Sequence, residues 1–180
     1  MLYLYHYYEE ATGPFCNLSD LDPEEAEAVL NRIRTEQKGF ASRRPPDYLA
    51  VRRSLEQTAR KIFADKGGRP VRTSPHYMTL GECPWLLSWY PRGKELRIPL
   101  SAFDPCSVSF TYGDLFPTMR VQDGKPYRGQ VYTQDEILTV LETYGWPQEW
   151  NRDGTKGPER YVEAQIWEEK PLAGFRAGDF

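Results

Sequence analysis

The order of strand-like and helix-like segments constrains the fold of this 180-residue chain more than any other feature. An aromatic-rich strand comes first, two amphipathic helical segments follow, then several short strands, one more helix and a last strand. This order does not repeat as strand-helix-strand units. It therefore predicts an α+β fold with a mixed or mostly antiparallel sheet, on which the two early helices and the one later helix pack.

Turn and capping residues mark where these elements begin and end. Residues 22–25 (Asp-Pro-Glu-Glu) and 133–136 (Thr-Gln-Asp-Glu) both have the sequence of a helix start with a capping box. The first helix is predicted to stop at Lys38-Gly39, the second to run from Pro46-Asp47 to Gly67-Gly68, and the third to stop at Gly145. Strands are predicted at 2–8, 71–80, 95–100, 107–112 and 160–167.

Two long connections, 113–130 and 146–159, separate the later elements. Both are rich in proline and aromatic residues, which lowers the entropy lost on ordering and supplies surface to pack. Connections of this length in compact domains are typical of functional segments. We therefore expect the two connections to be ordered and to lie together, with Asp114, Arg120 and Arg128 as candidate residues of a cofactor pocket.

Length and composition indicate a single globular domain over residues 1–170 and a flexible tail over 171–180. A mean hydropathy of -0.68 and the lack of a long uncharged apolar run predict that the chain does not enter a membrane. The first residues do not have the pattern of a secretory leader, so we expect a cytoplasmic protein. Three cysteines without a C-x-x-C spacing and two histidines predict neither a disulfide framework nor a metal site.

Three common catalytic motifs are missing from the sequence. It has no G-x-x-x-x-G-K-[ST], no G-x-G-x-x-G and no G-x-S-x-G, which argues against a P-loop, a Rossmann phosphate site and a nucleophile elbow. A cysteine and histidine nucleophile pair stays open, although buried cysteines are more often inert.

Polar residues on three aromatic strands give the leading enzyme hypothesis. His6 lies on the first strand, Tyr77 on a middle strand and Glu163 on the last strand. This order resembles the His-Tyr-Glu pattern of the ADP-ribosyltransferase superfamily. The chain as a whole also resembles a family of uncharacterised bacterial proteins, and that resemblance implies no function.

The superfamily resemblance implies NAD as the substrate and an unknown protein or nucleic acid as the acceptor. His6 would bind a ribose or the nicotinamide end, Tyr77 would stack on the nicotinamide ring, and Glu163 would be the anion that stabilises the oxocarbenium-like centre. Gln165, a further cofactor-binding candidate, stands two positions after Glu163, whereas the arginine-specific branch has Gln or Glu two positions before. Each residue also has a plain structural alternative, as a core histidine, a packing ring or a surface carboxylate.

The charge distribution gives a different hypothesis. Residues 1–37 carry a net charge of -6, residues 38–72 carry +7 and residues 73–180 carry -4. The basic part could bind the phosphates of a nucleic acid while aromatic side chains stack on its bases. The overall pI near 5.5 and the lack of a nucleic-acid-binding motif argue against this alternative. Its candidate contacts are Arg43, Arg44, Arg52, Arg53, Arg60 and Lys61, with Arg52, Arg53, Arg60 and Lys61 predicted to point outward from the second helix.

A third hypothesis is a protein-interaction module without catalysis. The aromatic residues of segment 146–150 would then form an exposed contact surface. Aromatic residues occur equally in cores and ligand pockets, so this alternative rests on their exposure.

Overall fold

A computed structural model of the chain describes residues 1–36 and 40–176, with the side chains of all of these except residues 40 and 176. The fold is α+β, as the sequence predicts, with a five-stranded antiparallel sheet. The strands are β1 (Tyr3–Glu9), β2 (His76–Leu80), β3 (Gly93–Pro99), β4 (Val108–Tyr112) and β5 (Val162–Ile166), in the order β3-β1-β2-β5-β4. The helices are α1 (Pro23–Glu36), α2 (Tyr48–Asp65), α3 (Pro84–Leu87), α4 (Leu115–Arg120), α5 (Gln134–Tyr144), α6 (Pro147–Trp150) and α7 (Ala173–Arg176).

Strand β5 lies between β2 and β4, and its register determines the character of the two sheet faces. Glu163 pairs with Thr79 on one side and with Thr111 on the other, so polar residues from three strands form a row. Since side chains alternate along a strand, Ala164 and the residues paired with it on β2 and β4 point to the opposite face. One face of the sheet is therefore polar over β2, β5 and β4, and the other is apolar.

Helix α5 covers the apolar face. Its predicted capping box is confirmed, because Thr133 accepts from the N–H of Glu136 and the Glu136 carboxylate accepts from the N–H of Thr133. Ile137 and Leu141 then point into the core. This core also contains Leu4, Phe15, Met78, Leu80, Leu96, Ile98, Val108, Phe110, Tyr112, Val162, Ala164 and Ile166, all buried.

Helix α2 covers the polar face, and the residues that it buries differ from the predicted stripe. The apolar periodicity of α2 predicts a buried stripe of Tyr48, Val51, Leu55, Ala59, Ile62 and Phe63, whereas the buried residues are Leu49, Arg52, Glu56, Ala59 and Phe63. The prediction that Arg52 points outward is wrong. Arg52 is 9% exposed because its Nε donates to Glu56 at 2.8 Å and its Nη2 donates to Asn17 at 2.6 Å, which compensates the burial of the charge.

Several predicted boundaries shift in the structure. Strand β2 begins at His76 rather than 71, because the N–H groups of Val71 and Arg72 both bond to the carbonyl of Trp167 instead of forming a ladder. The predicted stop of the first helix at Lys38-Gly39 lies outside the described residues, and α1 is described as far as Glu36.

The two long connections contain short helices and contact each other, which confirms the prediction that they lie together. Lys125 Nζ lies 3.3 Å from Glu159 Oε2, and Glu159 is fully buried. In the second connection, Trp146 and Trp150 are half-buried against the apolar core, so the expectation that they form an exposed surface is not met.

The chain beyond β5 continues as a short 3-10 helix, Lys170–Leu172, and then α7. Leu172 is fully buried in the apolar core. Residues 177–180, the end of the expected tail, lie outside the described part of the chain. Across residues 1–36 and 40–176, no helix has both the length and the apolar character needed to cross a membrane.

Candidate functional site

Two carboxyl groups meet where β4 turns into α4. Asp114 is the N-cap of α4, and its Oδ1 accepts from the N–H of Phe116 at 2.8 Å. The neighbouring N–H, that of Leu115, donates to Glu163 Oε1 on β5 at 3.2 Å. Gly113 makes this turn possible, since its φ of 115° is a conformation that other residues rarely adopt. Adjacent backbone amides thus hold Asp114 and Glu163 next to each other.

Tyr161 completes this group, which we call the acid site and define as Asp114, Tyr161 and Glu163. The Tyr161 hydroxyl donates to Asp114 Oδ2 at 3.0 Å. Tyr161 and Glu163 are buried, while Asp114 is partly exposed. The three side chains therefore form one contiguous polar group that reaches from the sheet to the surface.

Burial controls the ionisation of the acid site. It raises the pKa of Glu163 well above its usual value, and the nearby charge of Asp114 raises it further. Burial also raises the pKa of Asp114, although the Phe116 N–H, the Tyr161 hydroxyl, Arg52 and Arg44 offset part of this rise. Two carboxyl groups this close do not both ionise readily, and the more buried Glu163 is the one whose pKa is raised well above its usual value, so it is the preferred site of the proton.

Gln165 supports Glu163 from the sheet. Its Nε2 donates to Glu163 Oε1 at 3.1 Å and to Thr111 Oγ1 at 3.0 Å, and its Oε1 accepts from the Ser109 hydroxyl at 2.8 Å. Gln165 is fully buried and its amide is occupied by these bonds. The structure thus places this predicted cofactor-binding residue as a positioning group beneath Glu163.

A second polar group, formed by Arg52, Glu56 and Tyr77, lies beside the acid site. Glu56 Oε1 accepts from Arg52 Nε, from the Tyr77 hydroxyl and from the Ser19 hydroxyl, each at 2.8 Å. Glu56 Oε2 is buried and has no hydrogen-bond partner among the described residues. Arg52 also lowers the pKa of both acid-site carboxyl groups, so its charge acts directly on them.

Aromatic and cationic side chains lie beside the acid site. The rings of Tyr48 and Phe116 stack with their centroids 5.1 Å apart and nearly parallel, at 6°. The Arg44 guanidinium lies 4.5 Å from the centre of the Tyr48 ring. Tyr90 is close enough for Arg44 and Arg52 to lower its pKa, which burial raises. These four residues are half-buried and offer flat rings and a positive charge beside Asp114.

The structure brings the side chains of Tyr77 and Glu163 together on one face of the sheet and places the His6 side chain on the other face. Tyr77 pairs with Gln165 across β2 and β5, so it is a diagonal neighbour of Glu163 on the polar face. His6 instead stacks on Phe15 at 4.1 Å, on the apolar side of the sheet. The three residues of the superfamily resemblance therefore do not line one site, and NAD binding stays a prediction.

His6 has a structural role in this arrangement. Its Nε2 accepts from the N–H of Phe15 at 2.9 Å, and its Nδ1 lies 2.9 Å from the carbonyl of Tyr77. These two contacts require a neutral ring with the proton on Nδ1. The imidazole thus fixes the loop after β1 to the edge of β2.

The two arginines predicted for the pocket lie elsewhere. Arg120 is exposed at the end of α4. Arg128 forms ion pairs with Asp123, at 2.8 Å, and with the buried Glu159, so it joins the two long connections to each other. Of the predicted pocket residues, only Asp114 belongs to the acid site.

The six predicted nucleic-acid contacts do not form one surface. Arg52 is buried and Arg44 covers the Tyr48 ring. Lys61 pairs with Asp65 at 2.6 Å. Arg43 is exposed before α2, while Arg53 and Arg60 bond to backbone carbonyls on one flank of that helix.

Sequence reasoning missed Tyr161 and Glu56, although the sequence contains a signal for each. Tyr161 precedes Glu163 by two positions, which places both on one face of a strand. Glu56 follows Arg52 by four positions, the spacing of an ion pair along a helix. Neither spacing by itself distinguishes a buried pair from an exposed one.

No family model matches the chain, and comparisons with curated proteins and with solved structures found no significant match. Over the described part of the chain, no group of three or more His, Cys, Asp or Glu side chains could hold a metal ion. A functional assignment for this chain therefore rests on the geometry of the acid site.

Proposed function

We propose that the acid site cleaves a glycosidic bond by acid-base catalysis. The observation that supports this proposal is the pairing of a buried carboxyl group, Glu163, with the partly exposed carboxyl group of Asp114. Burial raises the pKa of Glu163 well above its usual value, which favours the protonated form that a general acid requires. A pair of carboxyl groups with different environments is the usual machinery of glycoside cleavage.

Each carboxyl group takes one role in the proposed reaction. Glu163 donates its proton to the leaving atom as the bond from that atom to the anomeric carbon breaks. Asp114 accepts a proton from the water or acceptor hydroxyl whose oxygen bonds to the same carbon. Its negative charge also stabilises the oxocarbenium-like transition state. The number of protons on the site is unchanged, and transfer of the proton from Asp114 back to Glu163, directly or through solvent, restores the starting state for the next turnover.

The surrounding residues suit a sugar or a nucleoside. Stacked rings such as Tyr48 and Phe116 bind the flat faces of sugars and bases, and Arg44 offers a cation to an anionic part of the ligand. The proposal keeps the glycosyl-transfer class that the superfamily resemblance implies. It differs in the role of Glu163, which acts as the acid, and in leaving out His6. NAD is one glycoside to test, with a protein or nucleic acid as an acceptor in addition to water.

Turnover by a Glu163→Gln variant is the test. Glutamine keeps the shape of the side chain and accepts the Leu115 and Gln165 hydrogen bonds, but it has no proton to donate at the leaving atom. We expect kcat to fall by about 10²–10⁴-fold while the melting temperature does not fall. Nicotinamide release from NAD, base release from nucleosides and phenol release from aryl glycosides are the readouts.

Glu142→Gln is the matched control, because Glu142 is an exposed residue of α5 that undergoes the same chemical change. It should keep full activity. Absence of turnover with all three substrate classes in the unmodified protein would contradict the proposal. A Glu163→Gln variant that is as active as the control would contradict the assignment of the acid.

A further inference from the structure

Helix α2 has a second polar flank, turned toward segment 70–74 rather than toward α4. Arg53, Gln57 and Arg60 share this flank, since they follow one another at spacings of four and three residues. Arg53 Nη2 donates to the carbonyl of Leu21 at 2.9 Å. Arg60 Nε donates to the carbonyl of Arg72 at 3.0 Å and its Nη2 to that of Pro70 at 2.8 Å. Backbone carbonyls thus hold both guanidinium groups in fixed positions.

A cavity of about 420 Å³ opens between this flank and segment 70–74. Arg53, Gln57, Arg60, Thr73 and Ser74 line it. A cavity of this volume is in the range that proteins use for small ligands. We call it the arginine pocket.

The arginine pocket offers hydrogen-bond donors without a counter-ion. Two guanidinium groups, an amide and two hydroxyl groups line it, and the described part of the lining has no carboxylate. Neither Arg53 nor Arg60 forms an ion pair with any described residue. Arg53 Nε and Nη1 and Arg60 Nη1 also have no hydrogen-bond partner there, so they are available to a ligand.

Unlike Arg53 and Arg60, the cations next to the pocket have carboxylate partners. Arg72 pairs with Asp20 and with Glu169, and Lys61 pairs with Asp65. Along α2, the cations without a carboxylate partner in the described part of the chain are therefore the two that line the pocket, since Arg52 and Lys61 are both paired. Such a local site fits a small anion better than the backbone of a long polyanion.

We propose that the arginine pocket binds the phosphate group of a small phosphate monoester. The planar fork of arginine matches phosphate oxygens with two parallel hydrogen bonds, and two arginines supply the charge that a dianion needs. Thr73 and Ser74 add hydroxyl groups that can donate to phosphate or to the organic part. The cavity is larger than one phosphate ion, and the space that a phosphate leaves empty accommodates a group of about the size of a sugar.

Calorimetric titration of the full chain tests this proposal. The probes are ribose 5-phosphate, inorganic phosphate and uncharged ribose, at constant ionic strength. We expect both phosphates to bind and ribose not to bind. Arg53→Gln and Arg60→Gln should each weaken phosphate binding about tenfold or more, because each removes a charged hydrogen bond.

Two further variants separate the pocket from general charge and from folding. Lys61→Gln removes one positive charge from the same helix, outside the pocket, and should change the affinity less than twofold. Arg60→Lys keeps the charge but loses the fork, so a loss of affinity with an unchanged melting temperature supports recognition by the guanidinium geometry.

Three results would overturn the proposal. They are no binding of either phosphate at millimolar concentration, an equal loss in Lys61→Gln, and binding of a single-stranded oligonucleotide that is tighter than ribose 5-phosphate and falls steeply with salt. The last result would assign the flank to nucleic acid instead. Phosphate binding is also measured in Glu163→Gln, where it should be unchanged, so the pocket and the acid site succeed or fail separately.

Discussion

The two faces of the sheet are buried to a similar extent but are stabilised in different ways. On β5, Val162, Ala164 and Ile166 point to the apolar face, and Glu163 and Gln165 point to the polar face. All five are buried. The apolar face is stabilised by removing hydrocarbon from water and by close packing. The polar face depends on nearly complete hydrogen bonding, because each buried polar atom left unpaired costs free energy.

This difference determines how each face responds to substitution. Loss of volume on the apolar face costs free energy in proportion to the cavity that remains. Loss of one partner on the polar face leaves another group buried and unpaired, whereas loss of both partners does not. The polar, hydrogen-bonded face therefore suits a site that requires a protonated carboxyl group and side chains held in fixed positions.

The largest effect is expected on the apolar face. Phe110 is fully buried in the centre of β4, so Phe110→Ala removes most of a ring and leaves a cavity. We expect a loss of about 3–5 kcal/mol in the free energy of unfolding, measured by urea titration. Val71→Ala is the control, because Val71 is 80% exposed and should change stability by less than about 0.5 kcal/mol. Similar losses in the two variants would contradict the description of this core.

A slightly smaller effect is expected from the buried ion pair on the polar face. Arg52→Met leaves the Glu56 carboxylate without its cation and should cost about 3 kcal/mol. The double variant Arg52→Met with Glu56→Leu removes both charges and should be clearly more stable than Arg52→Met alone. A double-mutant cycle by urea titration measures this coupling. A double variant less stable than both single variants would show that the pair is not a compensated unit.

The smallest effect concerns the pH dependence of stability. Because burial raises the pKa of Glu163 in the folded chain, the folded state keeps a proton that the unfolded chain loses above the ordinary value of 4.5. The stabilisation that this proton gives to the folded state is therefore fully present below pH 4.5. It is lost as the pH rises through the pKa that Glu163 has in the folded chain.

Glu163→Gln removes this titration. Its stability should fall less between about pH 4.5 and about pH 8 than that of the unmodified protein, as measured by melting temperature across this range. Glu142→Gln should follow the unmodified protein, because its side chain is exposed. Parallel curves for all three proteins would mean that Glu163 does not hold a proton in the folded state.

The sequence predicted the elements well where the pattern is local. The capping box of α5, the strand alternation of β4 and β5 and the α+β class follow from short-range periodicity and turn chemistry, which depend little on distant contacts. The prediction for α2 was wrong at Arg52, because an amphipathic pattern assumes that helices bury apolar residues. The sheet face beneath this helix is itself polar, and that face is formed by strands far away in the chain.

The candidate site was predicted only in part, for a related reason. Strand alternation assigns Glu163 to a face, and Asp114 stands at a recognisable helix start. Their proximity depends on the pairing of β4 with β5, which joins residues about 50 positions apart. His6 contacts the backbone of Tyr77, but β1 presents its side chain to the apolar face, whereas the side chains of Tyr77 and Glu163 lie on the polar face.

By itself, the sequence determined the fold class, the boundaries of α2, α5 and four of the five strands to within a few residues, and the residue types available for chemistry. These properties follow from periodicity, propensity and capping, all of which act over a few residues. Only the tertiary structure decided which charges are buried in pairs, which carboxyl group keeps a proton and which arginines lack a counter-ion. Those properties depend on desolvation and on the distance between side chains from different elements, and neither quantity is encoded in a short stretch of sequence.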